Sequence, residues 1–284
     1  MPAPSILTPP PVALAVAPNG ARRTQADHPA LPIGPVALAR TAADCAEAGA
    51  AMIHLHVRDH AGRHLLDATA YREAIAAIRA ELGDRIVTQI TSESLGLYSP
   101  AEQMAVVRDS RAEAVSLALR EIAPGTEDEP ALAAFLGDLL AMGTLPQIIV
   151  YDPSELIRLR GLLDRGALPF DDVPVLLALG RYSSGQTAAP ADLLAFLNGA
   201  LAGFAHWSCC AFGPNEARVV TTAALLGGHI RVGFENNLHL PDGATAPTNA
   251  ALVAATAAGV RALGLPAADA DGLRDAFRRT LGAT

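Results

Sequence analysis

Short apolar runs alternate with amphipathic stretches from one end of this 284-residue chain to the other, eight times in succession. That count constrains the fold more than any other property. An apolar run of about four to eight residues between turn signals reads as a buried strand, and a longer stretch with a 3.6-residue apolar repeat reads as a helix. Strands are expected at residues 12–17, 51–57, 85–91, 114–119, 147–151, 173–179, 204–210 and 229–234. Helices are expected at 35–48, 68–82, 100–110, 130–142, 153–164, 190–201, 216–226 and 249–263, with a short extra one near 271–281. Pro35, Pro100, Pro130, Pro153 and Pro190 stand at helix starts, where a missing backbone donor costs nothing. Eight strand–helix units in about 270 residues are the count and size of an α/β fold of the (β/α)8 TIM-barrel type. A doubly wound open sheet would want Gly-x-Gly-x-x-Gly after its first strand, and Pro18-Asn19-Gly20-Ala21-Arg22 does not supply it. With no linker-like composition shift and no repeat, residues 1–284 read as one barrel domain, the proline-rich residues 1–11 being a poorly ordered extension.

Composition narrows the function classes. Hydrophobic residues make up 51% and charged residues 18%, enough to bury a large core. A net charge of -8 argues against nucleic acid or an anionic membrane as partner. The chain has no apolar run long enough to span a membrane and no secretory signal pattern at its start. Cys45, Cys209 and Cys210 give an odd count without zinc-ribbon spacing, which fits a reduced, cytoplasmic protein. All 21 basic residues are arginine, so lysine Schiff-base and lysine general-base chemistry are excluded.

The chemistry-bearing motif is His54-Leu55-His56, inside the apolar run 51–57. Alternate side chains of a strand share a face, so both imidazoles point the same way. Two satisfied core histidines would be the plain explanation; two metal ligands is the sharper one. Glu235, at the end of the eighth run, supplies a carboxylate, and a His-His-Glu set with an open position is a catalytic zinc pattern. In a closed barrel, strands one, two and eight are neighbours and chemistry sits at strand C-terminal ends. That rule selects Asn19, His56 and Arg58, Thr91-Ser92-Glu93, Ser116 and Arg120, Asp152, Arg181 and Tyr182, and Glu235-Asn236-Asn237.

Three ordered motifs then carry a resemblance over nearly the whole chain, from about Ala13 to Leu263. They are Ala17-Pro18-Asn19-Gly20-Ala21 followed by Pro29-Ala30-Leu31-Pro32-Ile33, then His54-Leu55-His56-Val57-Arg58-Asp59, then the segment from Gly227 to Glu235. Together they resemble the β-keto acid cleavage enzymes, of which the 3-keto-5-aminohexanoate cleavage enzyme is the founding member. The resemblance implies a zinc-dependent barrel, assembled as a homodimer or homotetramer, that condenses a small anionic β-keto acid with acetyl-CoA. The adduct is then cleaved to acetoacetate and a new acyl-CoA. It implies that His54, His56 and Glu235 hold the metal and that Arg231, on the same strand face as Glu235, orients that carboxylate and the substrate. By position, Thr91 and Ser116 take hydroxyl-donor places, and Asn19, Arg22, Arg58 and Ser116 fall among the substrate-binding positions.

The sequence also departs from the family pattern. Asn236 stands where the catalytic base, an aspartate, is expected, and an amide cannot accept a proton at neutral pH. Arg22 replaces a glutamate, Ile149 an inward glutamate of the fifth strand, and Gly213-Pro214 a Gly-Arg pair near the coenzyme entrance. Glu93-Ser94 replaces a glycine pair after the third strand and adds a carboxylate at the mouth, a candidate replacement base. Arg22 and Arg120 are candidate grips for an anion, while Asp59 and Asp152 are expected to orient neighbours. Beside the family reaction stand two alternatives: a zinc-dependent lyase or hydrolase on a keto or lactone substrate without coenzyme A, and a non-catalytic metal-binding barrel.

Overall fold

The computed structural model describes residues 9–197 and 199–282. Eight parallel strands form its centre: β1 (Val12–Val16), β2 (Met52–Leu55), β3 (Val87–Thr91), β4 (Ala114–Ala118), β5 (Leu145–Val150), β6 (Val175–Leu179), β7 (Trp207–Ala211) and β8 (His229–Val232). Each pairs with its neighbours in chain order, and β8 returns to β1 in the register Leu14 to Ile230, Ala15 to Arg231 and Val16 to Val232. The sheet is therefore a closed (β/α)8 barrel. Around it lie α1 (Pro35–Ala48), α2 (Ala68–Leu82), α3 (Pro100–Ser110), α4 (Glu129–Met142), α5 (Pro153–Asp164), α6 (Glu216–Leu225), α7 (Asn249–Ala262) and α8 (Ala270–Leu281). No helix among the described residues is long and apolar enough to cross a membrane.

Burial on both faces explains why the strands read as continuous apolar runs. Ile53, Ile90, Leu117, Ile148, Leu177 and Ile230 point outward and pack beneath the helices in the main core. The inward face differs. It carries a small separate apolar cluster of Ile149, Leu176, Ala178 and Cys210, further apolar side chains such as Ala15, Met52 and Ala118, and a set of buried polar ones: His54, Gln89, Gln147, Ser208 and Arg231. Register places His54 opposite Gln89 and Leu176 opposite Ser208 in adjacent strands.

Three expectations need correction. The described residues of the stretch 190–201 form no α-helix; a 3-10 helix covers Pro190–Ala195 and another Leu201–Gly203. The buried side chains there, Leu193 and Phe196, are three apart, which matches three residues per turn, while Leu194 is 69% exposed. The second strand stops at Leu55, and Val57–Arg58 instead pairs antiparallel with His64–Leu65 as a small hairpin above the barrel. The eighth strand stops at Val232, because Gly233 has φ +139 and turns the chain. The extension expected over residues 1–11 falls largely on residues 1–8, outside the described residues.

Candidate active site

His54, at the end of β2, and His56, just past it, both face the barrel interior, their rings edge-on at 5.1 Å. Asn19 clamps the second one in place. Its side-chain oxygen accepts from His56 N at 3.2 Å, and its Nδ2 donates to His56 O at 2.9 Å and Pro32 O at 3.1 Å. Glu235 arrives from the opposite side, on a turn rather than on a strand. Two glycines make room for that turn. A Cβ on Gly233 would collide with the Ala17 backbone, and one on Gly20 (φ +61) would lie 2.6 Å from Glu235 Cγ. The first and last strand-end loops thus meet through glycine, and the carboxylate lands beside the histidines.

Three ligand atoms converge there. The two Nε2 atoms are 3.2 Å apart, and Glu235 Oε2 lies 3.6 Å from His54 Nε2 and 3.4 Å from His56 Nε2. Tetrahedral ligands at about 2.0–2.1 Å from one divalent ion stand about 3.3 Å apart, so these spacings fit a shared ion without rearrangement. Glu235 Oε2 and His56 Nδ1 are buried with no hydrogen-bond partner. These are the orphaned groups expected where an ion and an outer partner belong.

A polar relay through the barrel interior fixes the tautomer of His54. Ser208 Oγ donates to Val175 O at 3.2 Å and so accepts from Gln147 Nε2 at 2.9 Å. Gln147 Oε1 then accepts from Gln89 Nε2 at 3.1 Å, which leaves Gln89 Oε1 to accept from His54 Nδ1 at 2.9 Å. With its proton on Nδ1, His54 presents a lone pair at Nε2, as a metal ligand must. Burial, reinforced by the Arg231 guanidinium, pushes the pKa of His54 down to about 3 and keeps the ring neutral. Burial alone would raise Glu235, but Arg231, whose Nη2 donates to Glu235 Oε1 at 3.2 Å, holds the carboxylate well below its usual range.

Arg231 is buried, yet its Nε and Nη1 find no partner. Arg231 lines a cavity of about 20 Å³ together with the two histidines, Thr91, Glu93, Ser116 and Arg181. Ser116 Oγ is likewise unpartnered, whereas Thr91 Oγ1 accepts from Glu93 N at 2.9 Å and shapes the turn. Glu93 reaches over the site. Its Oε1 accepts from Arg181 Nη2 at 3.0 Å, across the mouth between the ends of β3 and β6, and its Oε2 lies 3.8 Å from His56 Nδ1.

Other candidates sit elsewhere. Asn236 is fully buried with an unpartnered side-chain amide and is not among the side chains lining this cavity. Arg58 donates to the carbonyls of Gly20, Gly62, Asn19 and Arg23, stapling the first loop. Arg22 is exposed at an adjoining recess. Arg120 pairs with Asp152 at 2.8 Å and Glu155 at 2.5 Å, stacked on Tyr151 and Tyr182. Asp152 caps α5, and Asp59 holds Arg63 in the hairpin turn. Ile149 faces the cavity.

Sequence reasoning missed Gln89, Gln147 and Ser208, which lie below the strand ends, and Arg23 beside Arg22. A glutamine inside each of two apolar strands was the available signal, since a buried amide needs a partner.

The chain is 29% identical over 244 residues to the 3-keto-5-aminohexanoate cleavage enzyme of Fusobacterium nucleatum subsp. nucleatum, covering 82% of this chain and 85% of that protein. It is 28% identical over 275 residues to the 3-dehydrocarnitine:acetyl-CoA trimethylamine transferase of Rhizobium meliloti (strain 1021), covering 87% and 89%. Among solved structures, apo ObcA superposes with a TM-score of 0.71 at 19% identity. That match covers 88% of this chain but 65% of the ObcA chain, and it speaks for the fold alone. The sequence pattern of the beta-keto acid cleavage enzymes matches residues 11–278. This chain therefore belongs to the β-keto acid cleavage enzyme family.

Proposed function

We propose that the protein is a zinc-dependent β-keto acid cleavage enzyme. It condenses a β-keto acid with acetyl-CoA and releases acetoacetate and the acyl-CoA of the remaining fragment. The observation that carries this reading is the convergence of His54, His56 and Glu235 at 3.2–3.6 Å beside the free donors of Arg231, in a chain of this family. When bound there, zinc supplies a Lewis acid for the keto and carboxylate oxygens of the substrate.

The protein's own residues do the rest. Arg231 holds Glu235 through Nη2 and offers Nε and Nη1 to substrate oxygens that gain charge as the proton leaves C2. Ser116 Oγ–H is a second unused donor in the same cavity. Glu93 takes the proton: besides Glu235 it is the one carboxylate lining the cavity among the described residues. The C2 carbon then attacks the acetyl carbonyl and expels the CoA thiolate. That thiolate returns to the original keto carbon and breaks its bond to C2, and C2 takes back the proton held by Glu93 and leaves as acetoacetate.

One observation favours a second reading. Asn236 cannot act as a base and does not line the cavity, so a lyase or hydrolase working without coenzyme A keeps a place. A barrel that binds zinc without catalysis is the third. The test is a panel of β-keto acids on zinc-loaded protein, with and without acetyl-CoA, read as acetoacetate. Formation only with acetyl-CoA supports the proposal; turnover without it supports the second reading, and bound zinc with no turnover the third.

Homodimer or homotetramer assembly would cover the exposed Leu225, Leu226 and Leu263, and light scattering tests it. Three buried free cysteines fit a reducing, cytoplasmic setting.

A further inference from the structure

Beside the metal site, and sharing Glu93, Arg181 and Glu235 with it, lies a recess of about 50 Å³ walled on its outer side by Arg22, Arg23 and Gln186. Arg181 is paired with Glu93 and Arg231 with Glu235. Arg22 and Arg23 have no carboxylate within ion-pair distance among the described residues. Arg23 is half-buried, and two of its donors go to the backbone: Nη1 to Phe234 O, and Nη2 to Asn236 O at 3.5 Å. The remaining donors of a fork-shaped guanidinium are left for a ligand. Across both cavities four arginines face two carboxylates, a surplus of two positive charges before any metal is added. Half-buried cations are stable where an anion completes them.

We propose that this recess holds a second acidic group of the substrate, so that the keto acid cleaved here is a β-keto diacid. Its reacting carboxylate lies at the metal and its distal carboxylate on Arg23, with Arg22 at the rim. This inference rests on the proposed reaction and names its substrate class. A coenzyme phosphate is an anion too, and the test separates the two sources.

Zinc-loaded protein is assayed with acetyl-CoA and either 3-oxoadipate or 3-oxohexanoate, which share a six-carbon chain and differ in the terminal carboxylate. Binding of the same two compounds is measured by calorimetry. The diacid is expected to be preferred about tenfold or more, the worth of charge-assisted hydrogen bonds to one carboxylate. In Arg23→Gln that preference collapses, and Arg22→Gln reduces it less. Equal or better use of the monoacid overturns the inference and leaves the proposed reaction standing. If neither compound turns over, that reaction fails, and the calorimetric preference still decides the recess. A raised KM for acetyl-CoA in Arg23→Gln with the keto acid preference unchanged assigns the recess to the coenzyme and overturns the inference. Should Arg23→Gln not fold, the parent's preference between the two acids is decisive.

Discussion

Replacing Gln89 by leucine tests whether the barrel interior prepares His54 for a metal. Leucine is close in size, so the change removes two hydrogen bonds without opening a large cavity: His54 Nδ1 to Gln89 Oε1 and Gln89 Nε2 to Gln147 Oε1. The His54 Nδ1–H and the Gln147 Oε1 are then both buried and unpartnered. Each such group costs about 1–3 kcal/mol, so the metal-free protein loses about 2–6 kcal/mol of stability. His54 can escape part of this by moving its proton to Nε2, where a metal needs a lone pair. Zinc affinity is therefore expected to fall about 10–100-fold, the usual effect of removing an outer partner of a ligating histidine. That is about 1.4–2.7 kcal/mol. Gln147→Leu is the matched control. It breaks two relay bonds as well but leaves the His54–Gln89 bond in place, so it should lower stability comparably and zinc affinity much less. Urea unfolding of the metal-free protein, chelator competition for zinc and ¹⁵N chemical shifts of His54 provide the three readouts. A folded Gln89→Leu protein that binds zinc within twofold of the parent would refute the reasoning, as would an equal zinc effect in Gln147→Leu.

The remaining predictions probe other parts of the structure. Burial pushes the Glu216 carboxyl up to about 8, against the donors of Asn237 and Gly233. The folded protein then holds a proton that the unfolded chain releases near its ordinary 4.5. This stabilisation is complete below that value and is lost as pH rises through about 8, by as much as about 5 kcal/mol; Glu216→Gln should flatten that slope in urea unfolding between pH 5 and 9. Gly233→Ala forces a Cβ into the Ala17 backbone at φ +139 and should cost more than about 3 kcal/mol and most of the bound zinc. Gly20→Ala, at φ +61, presses on Glu235 Cγ and Cβ with the Glu235 Cα in ordinary contact, a milder clash than that of Gly233, so about 1–2 kcal/mol is expected with a clear drop in zinc affinity; equal unfolding midpoints for the two variants would contradict this. If Glu93 is the base, Glu93→Gln should lower kcat by about 10²–10⁴-fold with zinc still bound, and Asn236→Asp should not rescue it.

Much of this architecture was legible in the sequence because a parallel barrel buries both faces of every strand, leaving apolar runs that stand out from the amphipathic helices between them. The exceptions have local causes. The stretch 190–201 carries enough leucine to look helical, but Leu194 and Leu197 face solvent and the buried Leu193 and Phe196 stand three residues apart. Gly233 ends the last strand early through a backbone angle that no apolar pattern encodes. At the site, residue type was enough to bring His54, His56 and Glu235 together, because few apolar strands carry such groups at their ends. Position along a strand could not say where long side chains reach. Arg58 sits at a strand end, yet its donors go to loop carbonyls, and Asn236 follows Glu235, yet the turn buries it outside the cavity. The Gln89–Gln147–Ser208 relay spans three strands and depends on their stagger, which only the closed sheet defines.

The most direct test of the central claim follows the acetyl carbons. Zinc-loaded protein is given a β-keto acid and acetyl-CoA labelled with ¹³C at the carbonyl, and products are read by NMR. Condensation followed by cleavage puts the label at C3 of acetoacetate, leaves the new acyl-CoA unlabelled and requires both substrates. Label in the acyl-CoA, or cleavage of the keto acid at the same rate without acetyl-CoA, would contradict the account.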